Sequence, residues 1–317
     1  MTDPTFNSRR SPVYGRNGIV ATSQPLATAA GLEILAKGGN AADAAVAVGA
    51  ALNVTEPTST GIGGDMFALY YSADTGGVTA INGSGGAPSA LTLDRLKKEG
   101  LLADVLPPFH AHTVTVPGAC AGWFDLIEKH GSLSMIDILT PAIRLASEGF
   151  PVAPLTSHYW KYGVDAQLKS ALNGKELTID GRAPNAGEIF HNPGLARTFE
   201  TIARGGASAF YQGEIAESIV GVIKEAGGCM SADDLASHVS TWEEPISVTY
   251  RGFRVYECPP NGQGITALIA LNLLEGFDLA SLKTLSVEKL HLMIEAMRLA
   301  FADASWYVAD PKFSNVP

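Results

Sequence analysis

The segments Gly38-Gly39-Asn40-Ala41-Ala42-Asp43-Ala44-Ala45 and Thr60-Gly61-Ile62-Gly63-Gly64-Asp65 decide how this chain folds. The residues between them predict one helix of small side chains from Ala41 to Leu52. Asn40 suits the N-cap of this helix, and Asp43 can return a hydrogen bond to the Asn40 backbone. Because alanines occur at nearly every second position, another layer of structure can pack unusually close to it.

The second segment is a glycine cluster that leads into a strand predicted at Met66 to Tyr71. Glycines at positions 61, 63 and 64 permit backbone conformations that are closed to other residues. They also let a ligand or another part of the chain approach the backbone closely. The simplest interpretation is a tight connection from helix to strand.

Further short motifs follow, each weak alone but specific in their joint order. They are Val116-Pro117-Gly118-Ala119-Cys120-Ala121-Gly122-Trp123, Pro141-Ala142-Ile143-Arg144-Leu145-Ala146 with Gly149-Phe150, Asn192-Pro193-Gly194-Leu195-Ala196, Phe210-Tyr211-Gln212-Gly213, Ala216-Glu217-Ser218-Ile219, Tyr250-Arg251-Gly252-Phe253-Arg254-Val255-Tyr256 with Pro259-Pro260, and Ala302-Asp303 to Asp310-Pro311. Across nearly the whole chain this order resembles the large subunit of γ-glutamyltranspeptidases, also called glutathione hydrolases, which are N-terminal-nucleophile hydrolases.

The resemblance implies an α/β fold, a four-layer αββα sandwich, in which residues 1–317 are the helix-rich large subunit and form a single domain. A separate small subunit from the same precursor would complete it, giving a heterodimer or a dimer of heterodimers. In the family, self-cleavage exposes an N-terminal threonine on the small subunit. Its hydroxyl attacks an amide carbonyl while its own α-amino group takes the proton. No catalytic residue, cofactor or metal is therefore expected in this chain.

The implied activity is hydrolysis or transfer of the acyl group of a γ-glutamyl amide such as glutathione. Two alternatives stay open. One is an amidohydrolase or acylase of the same fold that acts on another small amide, oxamate-like or glutaryl-β-lactam-like. The other is an inactive homologue that serves as a scaffold.

The resemblance also implies where substrate contacts lie. Classical members carry an arginine in a short Arg-Glu-Met-Ala-Pro segment, and its guanidinium pairs with the substrate α-carboxylate. The matching residues here are Asn82-Gly83-Ser84-Gly85-Gly86-Ala87-Pro88, with Ser84 in place of the arginine and Gly85 in place of the glutamate. Asn82, Ser84 and Gly85 are the predicted substrate wall, and the Gly61 to Asp65 turn gains a second interpretation as backbone beside the nucleophile pocket. A serine cannot neutralise a carboxylate, so Arg182, Arg251 and Arg254 are candidates to compensate.

One internal segment resembles the sequence around the family's nucleophilic threonine. Thr156-Ser157-His158-Tyr159 looks like the Thr-Thr-His-Tyr start of the family's small subunit. It is followed by Trp160-Lys161-Tyr162-Gly163 instead of a hydrophobic strand, and it lies deep inside large-subunit sequence. It is therefore predicted to be an ordinary loop or helix start.

Two other enzyme classes fit the sequence less well. A nucleotide-binding enzyme would need Gly-x-Gly-x-x-Gly between a strand and a helix, whereas the glycines at 61–64 precede a strand. A metal-dependent amidohydrolase is suggested by His110-Ala111-His112, a spacing used for paired ligands. The remaining histidines that such a site could use, His191, His238 and His291, stand isolated, so a surface loop is the preferred interpretation of 110–112.

The composition and net charge of the chain limit the kinds of binding partner and the cellular compartment that are expected. The net charge of −10 argues against nucleic acid and anionic membranes. Hydrophobic residues make up 46% of the chain and charged residues only 17%, which predicts an extensive buried interface or, as the alternative, a large alanine-rich core. Three widely spaced cysteines, Cys120, Cys229 and Cys258, indicate a reducing compartment and incidental thiols. No secretory signal or apolar run of membrane-spanning length is visible, so a cytoplasmic location is expected.

The coarse pattern predicts an extended arm over the first twenty residues and then mainly helices. Helices are predicted at 25–36, 120–130, 135–147, 195–205, 214–225 and 232–237, and strands at 78–81, 246–250 and 253–258. In the closing helix, Leu290, Ile294, Met297 and Phe301 share one face at helical spacing. This stripe is predicted to belong to the core.

Overall fold

A computed structural model of the chain describes residues 11–101 and 105–316. It divides into two compact units, unit 1 being Met1–Asp65 with Ser84–Val239 and unit 2 being Met66–Gly83 with Ser240–Pro317. Whether the chain and a small subunit form one domain stays a prediction. Half of the predicted N-terminal arm, residues 1–10, lies outside the described residues, while residues 11–20 are largely exposed and contain neither helix nor strand.

The elements follow the predicted order. The helices are α1 (Pro25–Ala36), α2 (Ala41–Thr55), α3 (Leu93–Lys98), α4 (Ala119–His130), α5 (Met135–Glu148), α6 (Pro154–Gly163), α7 (Pro193–Gly205), α8 (Ser208–Tyr211), α9 (Glu214–Glu225), α10 (Ala232–Ala236), α11 (Gly264–Leu274) and α12 (Val287–Tyr307). The strands are β1 (Met66–Tyr71), β2 (Val78–Gly83), β3 (Phe150–Pro151), β4 (Ile189–Phe190), β5 (Thr241–Glu243), β6 (Ile246–Tyr250) and β7 (Phe253–Glu257). Each predicted element is confirmed, with its ends shifted by no more than three residues.

The N-terminus of α2 is closed by the predicted capping box. The side chain of Asn40 accepts hydrogen bonds from the backbone N–H groups of Ala42 and Asp43. In return, the Asp43 carboxylate accepts the Asn40 N–H at 2.8 Å. Asp43 is fully buried, and the same carboxylate also accepts the N–H groups of Ser132 and Leu133, which follow α4. One side chain therefore starts α2 and fixes the loop after α4 against it.

Small residues let the helices of unit 1 pack closely around α2. At Gly31 in α1, a Cβ atom would lie 2.7 Å from Cγ2 of Val48, which is closer than van der Waals contact allows. At Gly49, the indole of Trp123 from α4 lies 3.6 Å from the position of a Cβ atom. The predicted close approach of a second layer is confirmed, and the apolar side chains between α2, α5 and α7 form the core of this unit.

Unit 2 contains a three-stranded antiparallel sheet in the order β1-β2-β5 and a separate β6-β7 hairpin. The hairpin turns at Arg251 and Gly252, both with positive φ (52° and 81°), as a two-residue type I′ turn requires. Helices α11 and α12 pack on each other, and α11 also packs on β6 and β7. Across residues 11–101 and 105–316, no helix combines the length and apolarity needed to cross a membrane.

The prediction for the stripe on α12 was wrong within this chain. Leu290, Ile294, Met297 and Phe301 are between 39% and 56% exposed. The buried positions of α12 are Ala296 and Ala300, which belong to the apolar cluster shared with α11. Helical periodicity identifies an apolar face but not what covers it, and here the small alanine face is the one that contacts the rest of unit 2.

Replacing Asp43 by alanine should destabilise the chain strongly, because the N–H groups of Asn40, Ser132 and Leu133 would lose their acceptor together. We expect the free energy of unfolding to fall by about 3 kcal/mol, measured by chemical denaturation. Asp137→Ala is the matched control, since Asp137 occupies the same third position of α5 but is exposed. Its loss should cost roughly 0.5 kcal/mol, and equal losses in both variants would contradict this account.

Candidate functional site

Asn82 lies near the end of β2, where it pairs with Phe67 of β1 and Thr241 of β5. It is half-buried, and its side-chain amide donates to Oδ1 of Asn261 at 3.0 Å. Asn261 belongs to the turn-rich loop 259–264. Within unit 2, Asn82 therefore attaches this loop to the sheet, which is a contact that the sequence did not predict.

Gly85 lies where the backbone of another segment passes very close. A Cβ atom at this position would lie 1.5 Å from the carbonyl oxygen of Val116 and 2.5 Å from its carbonyl carbon. Neither distance is possible for real atoms, so no residue other than glycine fits here without backbone movement. The Gly85 N–H donates to Oδ1 of Asp65 at 3.1 Å, and the Gly86 carbonyl accepts the Val116 N–H at 2.9 Å.

The glycine turn before β1 is held by the same segment. The Gly64 carbonyl accepts the N–H groups of Gly118 and Ala119 at 3.0 and 2.9 Å, and the Gly64 N–H donates to the Gly61 carbonyl. We call residues 61–65, 84–86 and 116–119 the glycine junction. All three segments belong to unit 1. The tight connection expected between helix and strand is confirmed, and the interpretation as backbone beside a nucleophile pocket stays a prediction.

A buried tyrosine forms hydrogen bonds with the segment of the glycine junction that leads into α4. The Tyr211 hydroxyl donates to the Pro117 carbonyl at 2.9 Å and accepts the Ala121 N–H at 3.1 Å, and His238 stacks on its ring. Burial raises the pKa of Tyr211 and lowers that of His238. The hydroxyl is therefore neutral and links the Pro117 carbonyl to the Ala121 N–H in a fixed position. Sequence reasoning assigned it no role, although it lies in the Phe-Tyr-Gln-Gly motif.

The three candidate arginines are already engaged by other groups. Arg182 forms a bidentate salt bridge with the Glu188 carboxylate, with N–O distances of 2.8 and 2.7 Å. This salt bridge lowers the pKa of Glu188 to about 2. Arg251 donates to the carbonyls of Leu274 and Phe277. Arg254 donates to Ser247 at 3.0 Å and lies over the ring of Tyr256. Arg182 and Arg254 therefore bind groups of their own loop and hairpin, and Arg251 connects its hairpin to the end of α11.

The two other sequence candidates do not form the sites considered for them. Thr156 is buried within α6, and the neighbouring Ser157 hydroxyl donates to the Pro184 carbonyl. His110 caps the N-terminus of a short 3-10 helix, Ala111–Thr113, in which His112 is buried and contacts Glu99 at 2.6 Å. Among residues 11–101 and 105–316, no group of three or more potential ligands could hold a metal ion.

The chemistry that the junction can support is recognition. Its backbone groups bond to one another, so it forms a rigid frame that places the half-buried Ser84 next to Gly85. A serine hydroxyl can donate one hydrogen bond to a substrate oxygen but cannot neutralise a carboxylate. The roles of Asn82, Ser84 and Gly85 in binding substrate stay predictions.

Comparison with known proteins identifies the family of the chain. The family model described as gamma-glutamyltranspeptidase matches residues 27–317. The glutathione hydrolase-like YwrD proenzyme of Bacillus subtilis (strain 168) is 37% identical over 307 residues, covering 96% of this chain. The chain spans only 58% of the length of that relative.

Two solved structures share the fold. The gamma-glutamyltranspeptidase of Helicobacter pylori has a TM-score of 0.88 at 33% identity, covering 97% of this chain and 88% of the other. The cephalosporin acylase from Bacillus halodurans has a TM-score of 0.87 at 42% identity, covering 99% of this chain and 60% of the other. The predicted fold class, the N-terminal-nucleophile hydrolase sandwich with this chain as its helix-rich part, is confirmed.

Replacing Gly85 by alanine should force the segment 84–86 away from Val116. We expect a loss of about 3 kcal/mol in the free energy of unfolding, measured by denaturant titration. Gly86→Ala is the control, because a Cβ atom at Gly86 meets nothing within 4 Å. It should change stability by less than about 0.5 kcal/mol. An alanine tolerated equally at both positions would disprove the close approach.

Proposed function

Because the chain belongs to the gamma-glutamyltranspeptidase family, we propose that it is the large subunit of an enzyme that cleaves a γ-glutamyl amide. The observation that carries this proposal is the family match over residues 27–317. The similar proteins called proenzymes support a precursor that is cut into two subunits. The attacking threonine is then supplied by the small subunit.

The proposed reaction passes through an acyl-enzyme. The threonine hydroxyl attacks the amide carbonyl, and the α-amino group of the same residue takes the proton, for which its ordinary pKa of about 8 is well placed. Backbone N–H groups stabilise the oxyanion. Water or an acceptor amine then releases the acyl group. In this scheme the chain described here binds and orients the acyl group but donates no group to the bond-breaking step.

A second candidate function has its own support. Ser84 replaces the arginine that would bind the α-carboxylate of a γ-glutamyl group, and Arg182, Arg251 and Arg254 are engaged elsewhere. The similarity to a protein described as a cephalosporin acylase, at 42% identity, points the same way. The alternative is an acylase that removes a glutaryl, oxalyl or similar acyl group, which lacks the α-amino acid part of a γ-glutamyl group.

A donor panel with the processed protein tests both candidates. Wild type is compared on a γ-glutamyl anilide, a glutaryl amide and an oxalyl amide, and Ser84→Arg is measured beside it. We expect Ser84→Arg to raise kcat/KM for the γ-glutamyl donor relative to the glutaryl donor by about tenfold or more, because a charge-assisted hydrogen bond contributes about 1.5–3 kcal/mol.

Ser170→Arg is the control for this substitution, since it adds the same charge to a separate exposed loop. It should leave the donor ratios unchanged. A wild-type preference for the glutaryl or oxalyl amide would select the acylase function. Unchanged donor ratios in Ser84→Arg would remove Ser84 from the substrate wall, and no turnover of any donor would favour the inactive scaffold.

We extend the proposal to the partner that covers α12. The face formed by Leu290, Met293, Ile294, Met297 and Phe301 is at least 39% exposed at every position. So large an apolar stripe on one helix is typical of a protein interface. The partner we propose for this face is the small subunit, because the chain spans only about half the length of its proenzyme relatives.

A carboxylate placed on this face should prevent assembly. We expect Ile294→Asp to reduce the yield of assembled heterodimer by at least about tenfold, since an unpaired charge would be buried in the interface. The measurement is co-purification of a second chain whose N-terminal threonine is identified by mass spectrometry. Glu288→Gln, on an exposed polar position of the same helix, should assemble normally. Normal assembly of Ile294→Asp would place the small subunit elsewhere.

The proposal includes a cytoplasmic location. Its support is that Cys120, Cys229 and Cys258 are all free thiols, as is usual in a reducing compartment. Cell fractionation with a cytosolic marker tests it.

A further inference from the structure

Three side chains that the amide chemistry does not use meet inside unit 1. They are Cys229, His112 and Glu99. Cys229 is half-buried and follows the turn at Gly227-Gly228 that ends α9. Its Sγ atom lies 4.0 Å from Nδ1 of His112, a distance at which the larger sulfur atom can still donate its proton to an imidazole nitrogen.

The turn is held against the histidine segment by packing. A Cβ atom at Gly228 would lie 3.1 Å from the Cβ atom of Ala111, so a larger residue there would push Cys229 away from His112. The imidazole itself has no freedom to move, because the His112 side chain is completely buried. The backbone N–H of His112 also donates to Nδ1 of His110 at 3.1 Å.

Glu99 determines which nitrogen of His112 carries the proton. The Glu99 carboxylate lies 2.6 Å from Nε2 of His112, and a carboxylate can only accept a hydrogen bond. This contact lowers the pKa of Glu99, and the nearby Arg95 adds to the effect. Nε2 therefore holds its proton, which leaves Nδ1 free to accept the proton of Cys229. Glu99 acts through His112 and is a positioning residue.

The other two cysteines show what an unassisted thiol looks like in this chain. Cys258 is half-buried like Cys229, but desolvation and the carboxylates of Glu257 and Glu243 raise its pKa. Cys120 is buried, and burial raises its pKa to about 12. Among the residues that the structure describes, Cys229 is the one cysteine with an imidazole within reach of its sulfur. An adjacent base is the arrangement that makes a thiol nucleophilic.

We propose that Cys229 is a modification site, a thiol activated by His112 and Glu99 that exchanges with low-molecular-weight disulfides. The thiol passes its proton to Nδ1 of His112, and the thiolate attacks one sulfur of the disulfide RS–SR. The Sγ–S bond forms as the S–S bond breaks, and the leaving RS⁻ is protonated by solvent to RSH while His112 gives up the proton that it took from Cys229. One disulfide is consumed and one mixed disulfide is formed, so no further oxidant is needed.

The test is the rate at which each cysteine of the purified protein reacts with bis(2-hydroxyethyl) disulfide at neutral pH, followed by peptide mass spectrometry. We expect Cys229 to react at least about tenfold faster than Cys258, and the two rates to become equal in the unfolded chain. Equal rates in the folded protein, or a faster Cys258, would overturn the proposal without any variant being made.

Variants then assign the roles of the two assisting residues. His112→Gln should slow the reaction of Cys229 about tenfold, and an unchanged rate would overturn the proposal. Glu99→Ala should slow it several-fold, while Glu99→Gln should restore most of the rate, because an amide oxygen accepts the same hydrogen bond from Nε2. Cys258 in the same molecule is the internal control, since its rate rises only if a variant has lost its fold. The proposal for Cys229 does not depend on the proposed amide cleavage. A negative result in the donor panel would therefore leave the proposal for Cys229 standing, and a negative result here would leave the proposed enzyme activity standing.

Discussion

The carbonyl of Val116 occupies the space in which a side chain at position 85 would have to lie, and the glycine junction depends on that contact. Because Gly85 has no Cβ atom, segments 84–86 and 116–119 come close enough for a backbone hydrogen bond between Gly86 and Val116. The same approach lets Asp65 accept the Gly85 N–H. A frame of this kind is rigid, because the backbone donors and acceptors of its segments bond to one another, to the Asp65 carboxylate and to the Tyr211 hydroxyl.

Helices α2 and α4 are tied together at both ends, which explains how the frame is supported. At one end, Asp43 at the start of α2 binds the loop after α4. At the other end, the turn that follows α2 offers the Gly64 carbonyl to the first N–H groups of α4. These groups have no partner inside a helix, so the Gly64 carbonyl satisfies donors that would otherwise be lost. The buried hydroxyl of Tyr211 adds a third tie at the same end of α4.

The sequence predicted those parts of the fold that local chemistry determines. Asn40 and Asp43 gave the start of α2 correctly, and Arg251-Gly252 gave the β6-β7 turn, because caps and two-residue turns are recorded in a few adjacent residues. The stripe at Leu290 to Phe301 was assigned to the core wrongly, since periodicity carries no information about what covers a face. The contacts of Gly85 with Val116 and of Cys229 with His112 could not be predicted at all. Each joins residues more than thirty positions apart by a distance that only the folded chain determines.

The two departures at positions 84 and 85 are better understood as one structural change than as two separate losses. The resemblance to classical members places an arginine and a glutamate at these positions, and a glutamate at 85 cannot coexist with the present position of the Val116 carbonyl. A chain with glutamate there would have to hold segment 84–86 further from segment 116–119, without the bonds that Asp65 and Gly86 now make. Because Gly85 has no Cβ atom, the segment can lie directly against Val116, and Ser84 is held beside it. The substrate wall proposed for Asn82, Ser84 and Gly85 should therefore differ from the classical one in backbone position as well as in charge, because the residue at position 85 decides how closely segment 84–86 can approach Val116.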